Sequence, residues 1–282
     1  MAGALVLSGG GLAGIAWEIG VLAGISDASP ELFAAITAPG VTFLGTSAGS
    51  AVASQLAGGT PIEELYAQQV AAETAELGAE IDLVTFQQTM AGLREGVTSP
   101  LEFRQRVGRF AREADTASSA DRLAVIEARL PVSEWPEHPL LVTAINTDTG
   151  DLRVFDRSSG VRLIEAVAAS CAVPGVWPAV EIDGVHYMDG GVRSASNVDL
   201  VAGADPILIL TPSPETGPMG DAIAAADLHA LGDARVTSIF ADQDSLVAFG
   251  SNPLDPAVRP PSAIAGRAQG SALVASLQTL WA

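Results

Sequence analysis

The stretch ALVLSGGGLAG (residues 4–14) joins a short apolar run to a turn that contains three consecutive glycines. The stretch VTFLGTSAGS (residues 41–50) repeats this arrangement with a G-x-S-x-G turn centred on Ser47. An apolar run of four residues that ends in a turn is typical of a buried strand, and a helical pattern follows each turn. The two stretches therefore predict strand–turn–helix units of a parallel α/β sheet.

Each of these two turns offers a group that acyl transfer needs. In a G-x-S-x-G pattern, the sharp turn from strand to helix lifts the serine oxygen, here that of Ser47, out of the sheet. Gly9, Gly10 and Gly11 lack side chains, so their N–H groups can come within about 3 Å of a developing oxyanion. A nucleophile and an oxyanion hole so close in sequence predict an acyl hydrolase.

A third motif, Asp189-Gly190-Gly191, follows the pair Tyr187-Met188. A carboxylate at this position could accept the proton of Ser47. An aspartate with the usual pKa of about 3.9 is a poor base, so this role requires a partly desolvated site. The same D-G-G sequence also suits a turn or a helix N-cap, and spacing alone does not separate the two roles.

Three motifs follow one another along the chain: the glycine turn (residues 9–14), the G-T-S-A-G turn (residues 45–49) and the D-G-G motif (residues 189–191). Together and in this order, they resemble the patatin-like phospholipase family. The stretch SCAVPGVWP (residues 170–178) is similar to the segment that precedes the D-G-G motif in that family. The matching pieces extend over residues 4–212. One departure is Ala13, where many members carry arginine or lysine.

The resemblance implies a three-layer α/β/α domain with a mostly parallel central sheet. It also implies a Ser–Asp dyad, with Ser47 as nucleophile and Asp189 as base, and an oxyanion hole formed by Gly9, Gly10 and Gly11. The expected activity is that of a lipid acyl hydrolase of the phospholipase or lysophospholipase type, which needs no cofactor. An acyltransferase that uses the same dyad and a non-catalytic lipid-binding protein are the alternatives.

Two other interpretations of the motifs fit the sequence less well. The pattern Gly9-x-Gly11-x-x-Gly14 also matches a dinucleotide fingerprint, but that fingerprint requires an acidic residue near the end of the next strand, about twenty residues on. A Ser-His-Asp triad of the α/β-hydrolase type would place its histidine after the acid, and only His229 follows Asp189. The α/β-hydrolase fold also places several strands before the serine turn. In this chain, one predicted strand precedes the strand that ends at the Ser47 turn.

Composition limits the partners and the location of the protein. The formal net charge is −19, so we expect no nucleic-acid partner, and only transient contact with a lipid surface through an apolar rim or on neutral lipid. Cys171 is the only cysteine, which suits a reducing compartment. The N-terminus lacks the basic region of a signal peptide, and no apolar run is long enough for a membrane span. We therefore expect a cytoplasmic protein.

The 282 residues predict a single domain over residues 1–282, with a helical insertion at residues 61–130. The insertion is either a cap over the site or a set of ordinary packing helices. Residues 140–144 with 153–155, and 180–182 with 186–188, predict two hairpins. The end of the chain predicts a helix over 221–231, an extended or looped proline-rich segment at 252–261 and a closing helix over 263–280.

Overall fold

The computed structural model of the protein describes residues 2–79, 81–130, 134–217 and 220–281. Within these ranges the strands are β1 (Ala4–Leu7), β2 (Thr42–Thr46), β3 (Leu140–Asn146), β4 (Leu152–Phe155), β5 (Val180–Ile182), β6 (Val185–Asp189), β7 (Ile207–Thr211), β8 (Thr216–Gly217), β9 (Gly220–Asp221) and β10 (Val236–Phe240). The α-helices are α1 (Gly11–Ala28), α2 (Pro30–Ile36), α3 (Ala48–Ala57), α4 (Ile62–Val70), α5 (Leu83–Arg94), α6 (Pro100–Glu113), α7 (Ser119–Arg129), α8 (Leu163–Ser170), α9 (Ala225–His229), α10 (Gln243–Ala248) and α11 (Arg259–Gln278).

The central sheet has the strand order β10-β7-β1-β2-β3-β6-β5, and β4 also pairs with β3. The pairs β1–β2, β1–β7, β7–β10 and β2–β3 are parallel. The pairs β3–β4, β3–β6 and β5–β6 are antiparallel. The predicted mixed α/β fold with a mostly parallel sheet is confirmed, and both predicted hairpins are present.

Helices cover both faces of this sheet. Along β1, Leu5 and Leu7 belong to the apolar core that contains α1, α3 and α8. The alternate residues Ala4 and Val6 belong to a second core on the opposite face, with the 3-10 turn Val198–Val201. Because side chains of a strand point alternately to its two faces, this continuous apolar strand is buried on both sides.

The first and last α-helices pack with their backbones in close contact. A Cβ atom on Gly20 or Gly24 of α1 would overlap the backbone of α11. Likewise, a Cβ on Gly266 or Gly270 of α11 would overlap the backbone of α1. The glycines at these positions therefore allow α11 to close the core against α1.

Helix α1 is apolar and 18 residues long, so by length and composition alone it could cross a membrane. However, 78% of it is buried inside the protein. A helix that is hydrophobic on all sides is also typical of a protein core. Its burial here accounts for its composition without a membrane.

The predicted insertion is mostly helical, as α4 to α7 show, with residue 80 outside the described ranges. Its helix α6 lies directly against the end of β3, because a Cβ on Gly108 would overlap the carbonyl of Thr147, the residue that follows this strand. Met90, Phe103 and Val107 form one apolar cluster with Ile145 and Met188 of β3 and β6. Part of the insertion is therefore a packing layer on the sheet.

Two predictions for the end of the chain are wrong. The helix predicted over 221–231 is reduced to α9, because Asp221 pairs with Thr216 in a short ribbon. The segment 252–261 is not wholly extended or looped, since α11 begins at Arg259. Pro260 and Pro261 lie in its first turn, where the missing N–H groups would have no partner in the helix.

Candidate active site

Ser47 forms the turn between β2 and α3 in an unusual backbone conformation, with φ 52° and ψ −120°. A non-glycine residue with positive φ is strained and has to be held by its surroundings. Its N–H donates to Ser170 Oγ at 2.9 Å. Its carbonyl oxygen accepts from Ser50 Oγ at 2.6 Å and from Cys171 Sγ at 3.2 Å. These bonds fix the turn that aims the Ser47 side chain away from the sheet.

The two glycines of the G-x-S-x-G motif are required by close packing. A Cβ on Gly49 would overlap the Leu7 carbonyl of β1, and a Cβ on Gly45 would overlap the backbone of Ser50. The start of α3 therefore lies against the end of β1, beside the glycine-rich turn. This contact explains why residues of minimal size flank Ser47.

Ser47 and Asp189 meet because two strands share one edge of β3. β4 occupies the other edge of β3. β2 ends with Thr46 opposite Thr143, whereas β6 runs in the opposite direction and ends with Asp189 opposite Ala144. The carboxyl ends of β2 and β6 thus reach neighbouring residues of β3, and Ser47 comes next to Asp189.

The Asp189 carboxyl is buried, with 5% of the residue exposed. Burial raises its pKa to about 6, although polar contact with the Ser47 side chain, the Gly191 N–H and the charge of Arg122 each lower it. One carboxylate oxygen accepts the Gly191 N–H at 2.7 Å, as an N-cap of the turn Gly190–Val192. Asp189 therefore has the turn role that its D-G-G sequence suits, while it also contacts Ser47.

The glycine-rich turn presents two unpaired N–H groups next to Ser47. The Gly9 N–H donates to the Ala195 carbonyl at 3.0 Å, so it is already used. Within the described ranges, the N–H groups of Gly10 and Gly11 have no hydrogen-bond acceptor. Gly11 has φ +66°, and a Cβ on Gly10 would overlap Pro212. Of the three glycines, Gly10 and Gly11 have N–H groups free to bind an oxyanion.

A cleft of about 590 Å³ opens over these groups. Its base contains the glycine turn, Ser47 and Asp189. Helices α5 and α6 contribute mostly apolar side chains to its lining, with Arg94 as an exception. The apolar ones are Phe86, Met90 and Phe103, whereas α9 and the loop after β6 contribute Arg193, Ser194 and Asp227. The cleft can therefore hold a molecule with an apolar chain and a polar group, with its reacting atom at Ser47.

The three histidines lie apart from the Ser47–Asp189 contact. His138 stacks on Phe43, with ring centroids 4.0 Å apart, and burial lowers its pKa. His186 is 3.7 Å from Glu181 on the hairpin, and His229 ends α9. None of them is among the residues found to line the cleft. Among the described residues, no group of three or more His, Cys, Asp or Glu could hold a metal ion.

Some residues of the site were not found by sequence reasoning. Asn197 is fully buried, and its amide nitrogen donates to Thr46 Oγ1 at 3.1 Å and to the Ser194 carbonyl at 2.7 Å. It therefore ties the end of β2 to the loop after Asp189. Ser170, which holds the Ser47 N–H, lies in the segment that resembles the patatin family, but nothing local in the sequence marks Asn197.

Arg122 of α7 was also missed, because an arginine on a polar helix usually faces solvent. Here it is 6% exposed, and its guanidinium carbon is 4.1 Å from the centre of the Trp177 ring. Both residues line a second, smaller cavity beside Ser47. Cys171 also lines it and is a buried thiol whose pKa burial raises. A cation from the insertion thus lies next to the candidate nucleophile.

Comparison with known proteins points to one family. A family model described as patatin-like phospholipase matches residues 5–202. No curated protein matches the chain by sequence. The crystal structure of VipD from Legionella pneumophila is similar over 98% of this chain and 67% of that chain, with 14% identity and a TM-score of 0.50. The type III effector protein ExoU is 16% identical over 98% of this chain and 53% of its own, with a TM-score of 0.43. The likeness to VipD bears on the fold alone.

Proposed function

Because the chain belongs to the patatin-like phospholipase family, we propose that it is a serine acyl hydrolase that cleaves a carboxylic ester of a lipid. Membership of this family supports a lipid hydrolase in general. The observation that carries the finer proposal is the contact between the strained Ser47 and the buried Asp189 at the base of the cleft.

In the first step, Ser47 Oγ forms a bond with the carbonyl carbon of the ester while its proton passes to the Asp189 carboxylate. The carbonyl electron pair moves onto the oxygen, and the N–H groups of Gly10 and Gly11 stabilise the resulting oxyanion. The bond to the leaving alcohol then breaks, and Asp189 returns the proton to that alcohol. The product of this step is an acyl-serine.

In the second step, a water molecule attacks the acyl-serine and gives a proton to Asp189. The tetrahedral intermediate collapses, the bond to Ser47 Oγ breaks, and the proton returns to Ser47. A pKa of about 6 for Asp189 suits both steps, because the carboxylate is ionised at neutral pH yet is a stronger base than an ordinary aspartate. The scheme uses no cofactor.

We assign two roles to the insertion (residues 61–130) in this reaction. The apolar side chains of Phe86, Met90 and Phe103 would hold the acyl chain of the substrate. Leu77, Val84 and Leu101 are large apolar residues on the insertion that are 42%, 61% and 39% exposed. They would contact a lipid surface, and the net charge of −19 favours neutral over anionic lipid. Co-sedimentation with neutral vesicles and with anionic vesicles tests this preference.

The central test is chemical labelling together with product analysis. A fluorophosphonate should label the wild-type protein at Ser47 and should not label Ser47→Ala. Wild-type protein should release fatty acid from a panel of phospholipids, lysophospholipids and nitrophenyl esters, and Ser47→Ala should lose on the order of 10⁴-fold or more in rate. Ser194 is the matched control, since it also lines the cleft. Labelling at Ser194 would refute the assignment of Ser47.

The same experiment separates hydrolysis from acyl transfer. Excess glycerol added to the assay competes with water for the acyl-serine. A hydrolase continues to release mainly fatty acid, whereas an acyltransferase yields mainly the glycerol ester. A protein that binds the lipids but is neither labelled nor active would be the non-catalytic binding protein instead.

A further inference from the structure

A small cavity of about 20 Å³ lies beside Ser47 and shares Gly11, Ser47 and Val173 with the lining of the large cleft. This volume is enough for about one water molecule. The first residues of α1 and α3, Gly11 and Ala48, line it together with Arg122 and Trp177. Arg129 lines it as well. Since the N-terminus of a helix carries a partial positive charge, two helix dipoles and two arginine side chains face the same small space.

Among the described residues, Arg122 forms no ion pair, and its Nε has no hydrogen-bond partner. Only longer-range interactions with Glu76, Asp189 and the Cys171 thiol act against the cost of its burial. The neighbouring Arg129, by contrast, makes two hydrogen bonds to Glu76, at 2.9 and 2.6 Å. Burying an unpaired charge is costly, and burial lowers the pKa of Arg122 to about 10. The side chain therefore stays charged at neutral pH and has no anion in direct contact.

The size of the cavity decides which anion fits. A phosphate has four oxygens and exceeds a space for one water molecule. A single anionic oxygen fits, and the reaction at Ser47 creates one when the ester carbonyl becomes tetrahedral. We propose that Arg122 is a catalytic residue, supplied by the helical insertion, whose guanidinium stabilises the oxyanion together with Gly10 and Gly11. This inference rests on the proposed function.

The expected effect follows from the role. A positive charge that acts on the oxyanion lowers the energy of the transition state more than that of the bound ester, so its loss lowers kcat rather than raising KM. Loss of one oxyanion contact typically costs about a hundredfold in kcat. If the inference holds, the insertion does more than shape the acyl pocket, because it completes the oxyanion hole.

The test uses the full chain with Arg122→Met, which keeps apolar contact with Trp177, and Arg122→Lys, which keeps the charge. Arg267→Met is the matched control. The Arg267 guanidinium also lies over an aromatic ring, 4.3 Å from the centre of the Tyr66 ring. However, Arg267 is not among the described residues that line the small cavity or the cleft. For Arg122→Met, we expect kcat on a neutral nitrophenyl ester to fall about a hundredfold with KM nearly unchanged. Ki for a trifluoromethyl ketone, which forms an anionic adduct with serine, should rise by a similar factor.

Arg122→Lys should recover part of both effects, and Arg267→Met should show neither. If thermal unfolding shows that Arg122→Met does not fold, the kcat and Ki of Arg122→Lys are compared with those of the wild-type protein instead. Unchanged kcat and Ki in a folded variant would mean that Arg122 only packs on Trp177. A loss confined to lysophosphatidic acid, and absent with the matched monoacylglycerol, would make it a headgroup contact. Either result overturns the inference.

A pH profile excludes an indirect effect through Asp189. The charge of Arg122 lowers the pKa of that carboxyl, so removal of the charge raises it and slows the reaction mainly at low pH. A loss that disappears at about pH 9, where Asp189 is ionised in either case, would assign Arg122 a positioning role only. Ser47→Ala is measured alongside: if it retains hydrolysis, the proposed function itself fails. If it loses hydrolysis while Arg122→Met keeps it, the inference about Arg122 alone fails.

Discussion

The end of the sheet and the helical insertion contribute to the site in different ways. At the sheet end, all four residues of β1 are fully buried, and the turns after β1 and β2 fit only glycine at several positions. In the insertion, α5 and α6 are partly exposed, although Met90, Phe103 and Val107 pack against β3 and β6. The proposed nucleophile, base and N–H donors lie at the closely packed sheet end. The side chains proposed to hold the acyl chain lie on the insertion, which also supplies the buried Arg122.

The largest effect is expected from the sheet end, with Asp189→Asn. The amide keeps nearly the same shape and can still accept the Gly191 N–H, but it cannot take the proton of Ser47. We expect kcat/KM on a short ester to fall by about 10³–10⁴-fold. The variants His138→Ala, His186→Ala and His229→Ala should each stay within about threefold of wild type. A thousandfold loss in any folded histidine variant would replace the dyad with a triad.

The pH dependence of the wild-type reaction should report the same carboxyl. Because burial raises the pKa of Asp189 to about 6, the base is protonated below that pH and ionised above it. The rate should therefore rise with pH, with a midpoint near 6 in a profile of kcat/KM. A midpoint near 4, as for an exposed aspartate, would contradict the buried environment of Asp189.

The glycine turn should be the next most sensitive feature of the sheet end. A Cβ on Gly10 would overlap Pro212, and alanine at Gly11 would be strained at φ +66°. We expect Gly10→Ala or Gly11→Ala to lower kcat about a hundredfold with a smaller change in KM. Gly59→Ala is the control, since Gly59 has φ +82° but no atom within 4 Å of its Cβ position. Normal kcat in both loop variants would refute their role in the oxyanion hole.

The acyl-pocket side chains of the insertion should show a smaller and more selective effect. Phe86→Ala and Met90→Ala remove apolar surface from one wall of the cleft. We expect kcat/KM to fall about tenfold on a long-chain ester and less than about twofold on an acetate ester. Val247→Ala, at an apolar residue that is 70% exposed on α10, is the control. Equal losses on both esters would mean that these side chains do not contact the acyl chain.

The smallest effect distinguishes a fully buried carboxyl of the sheet region, Glu18, from a partly exposed carboxyl of the insertion, Glu76. Glu18 in α1 is fully buried, and its oxygens have no partner among the described residues. Burial raises its pKa well above the usual value, and the nearby Ser8 backbone offsets this only partly. Burial also raises the pKa of Glu76, but the charge and hydrogen bonds of Arg129, together with the charges of Arg122 and Arg259, outweigh this effect, so the net pKa is lowered.

These opposite shifts predict opposite pH dependence of stability. The contribution of Glu18 is fully present below the unfolded pKa of about 4.3 and is lost as pH rises towards its folded pKa. The contribution of Glu76 is present above about 4.3 and is lost as pH falls. In urea unfolding, Glu18→Gln should therefore gain stability relative to wild type as pH rises from about 4 to 8, whereas the loss caused by Glu76→Gln should shrink as pH falls below about 4.3. Differences that do not change with pH would contradict both shifts.

The sequence by itself determined the parts of the protein that depend on short-range patterns. The buried runs before the two glycine-rich turns predicted β1, β2 and the turn at Ser47, and these elements are present. The two hairpins followed from local turn signals in the same way. Such features could be predicted because apolar periodicity and glycine turns restrict the backbone within about ten residues.

Only the tertiary structure decided how these parts meet. Asp189 reaches Ser47 because β2 and β6 share an edge of β3, which no local pattern specifies. The Gly9 N–H is taken by the Ala195 carbonyl, and Arg122 is buried beside the candidate nucleophile. The burial that raises the pKa of Asp189 arises from the same packing. These facts depend on strand register and on contacts between distant segments, whose energies belong to the folded chain as a whole.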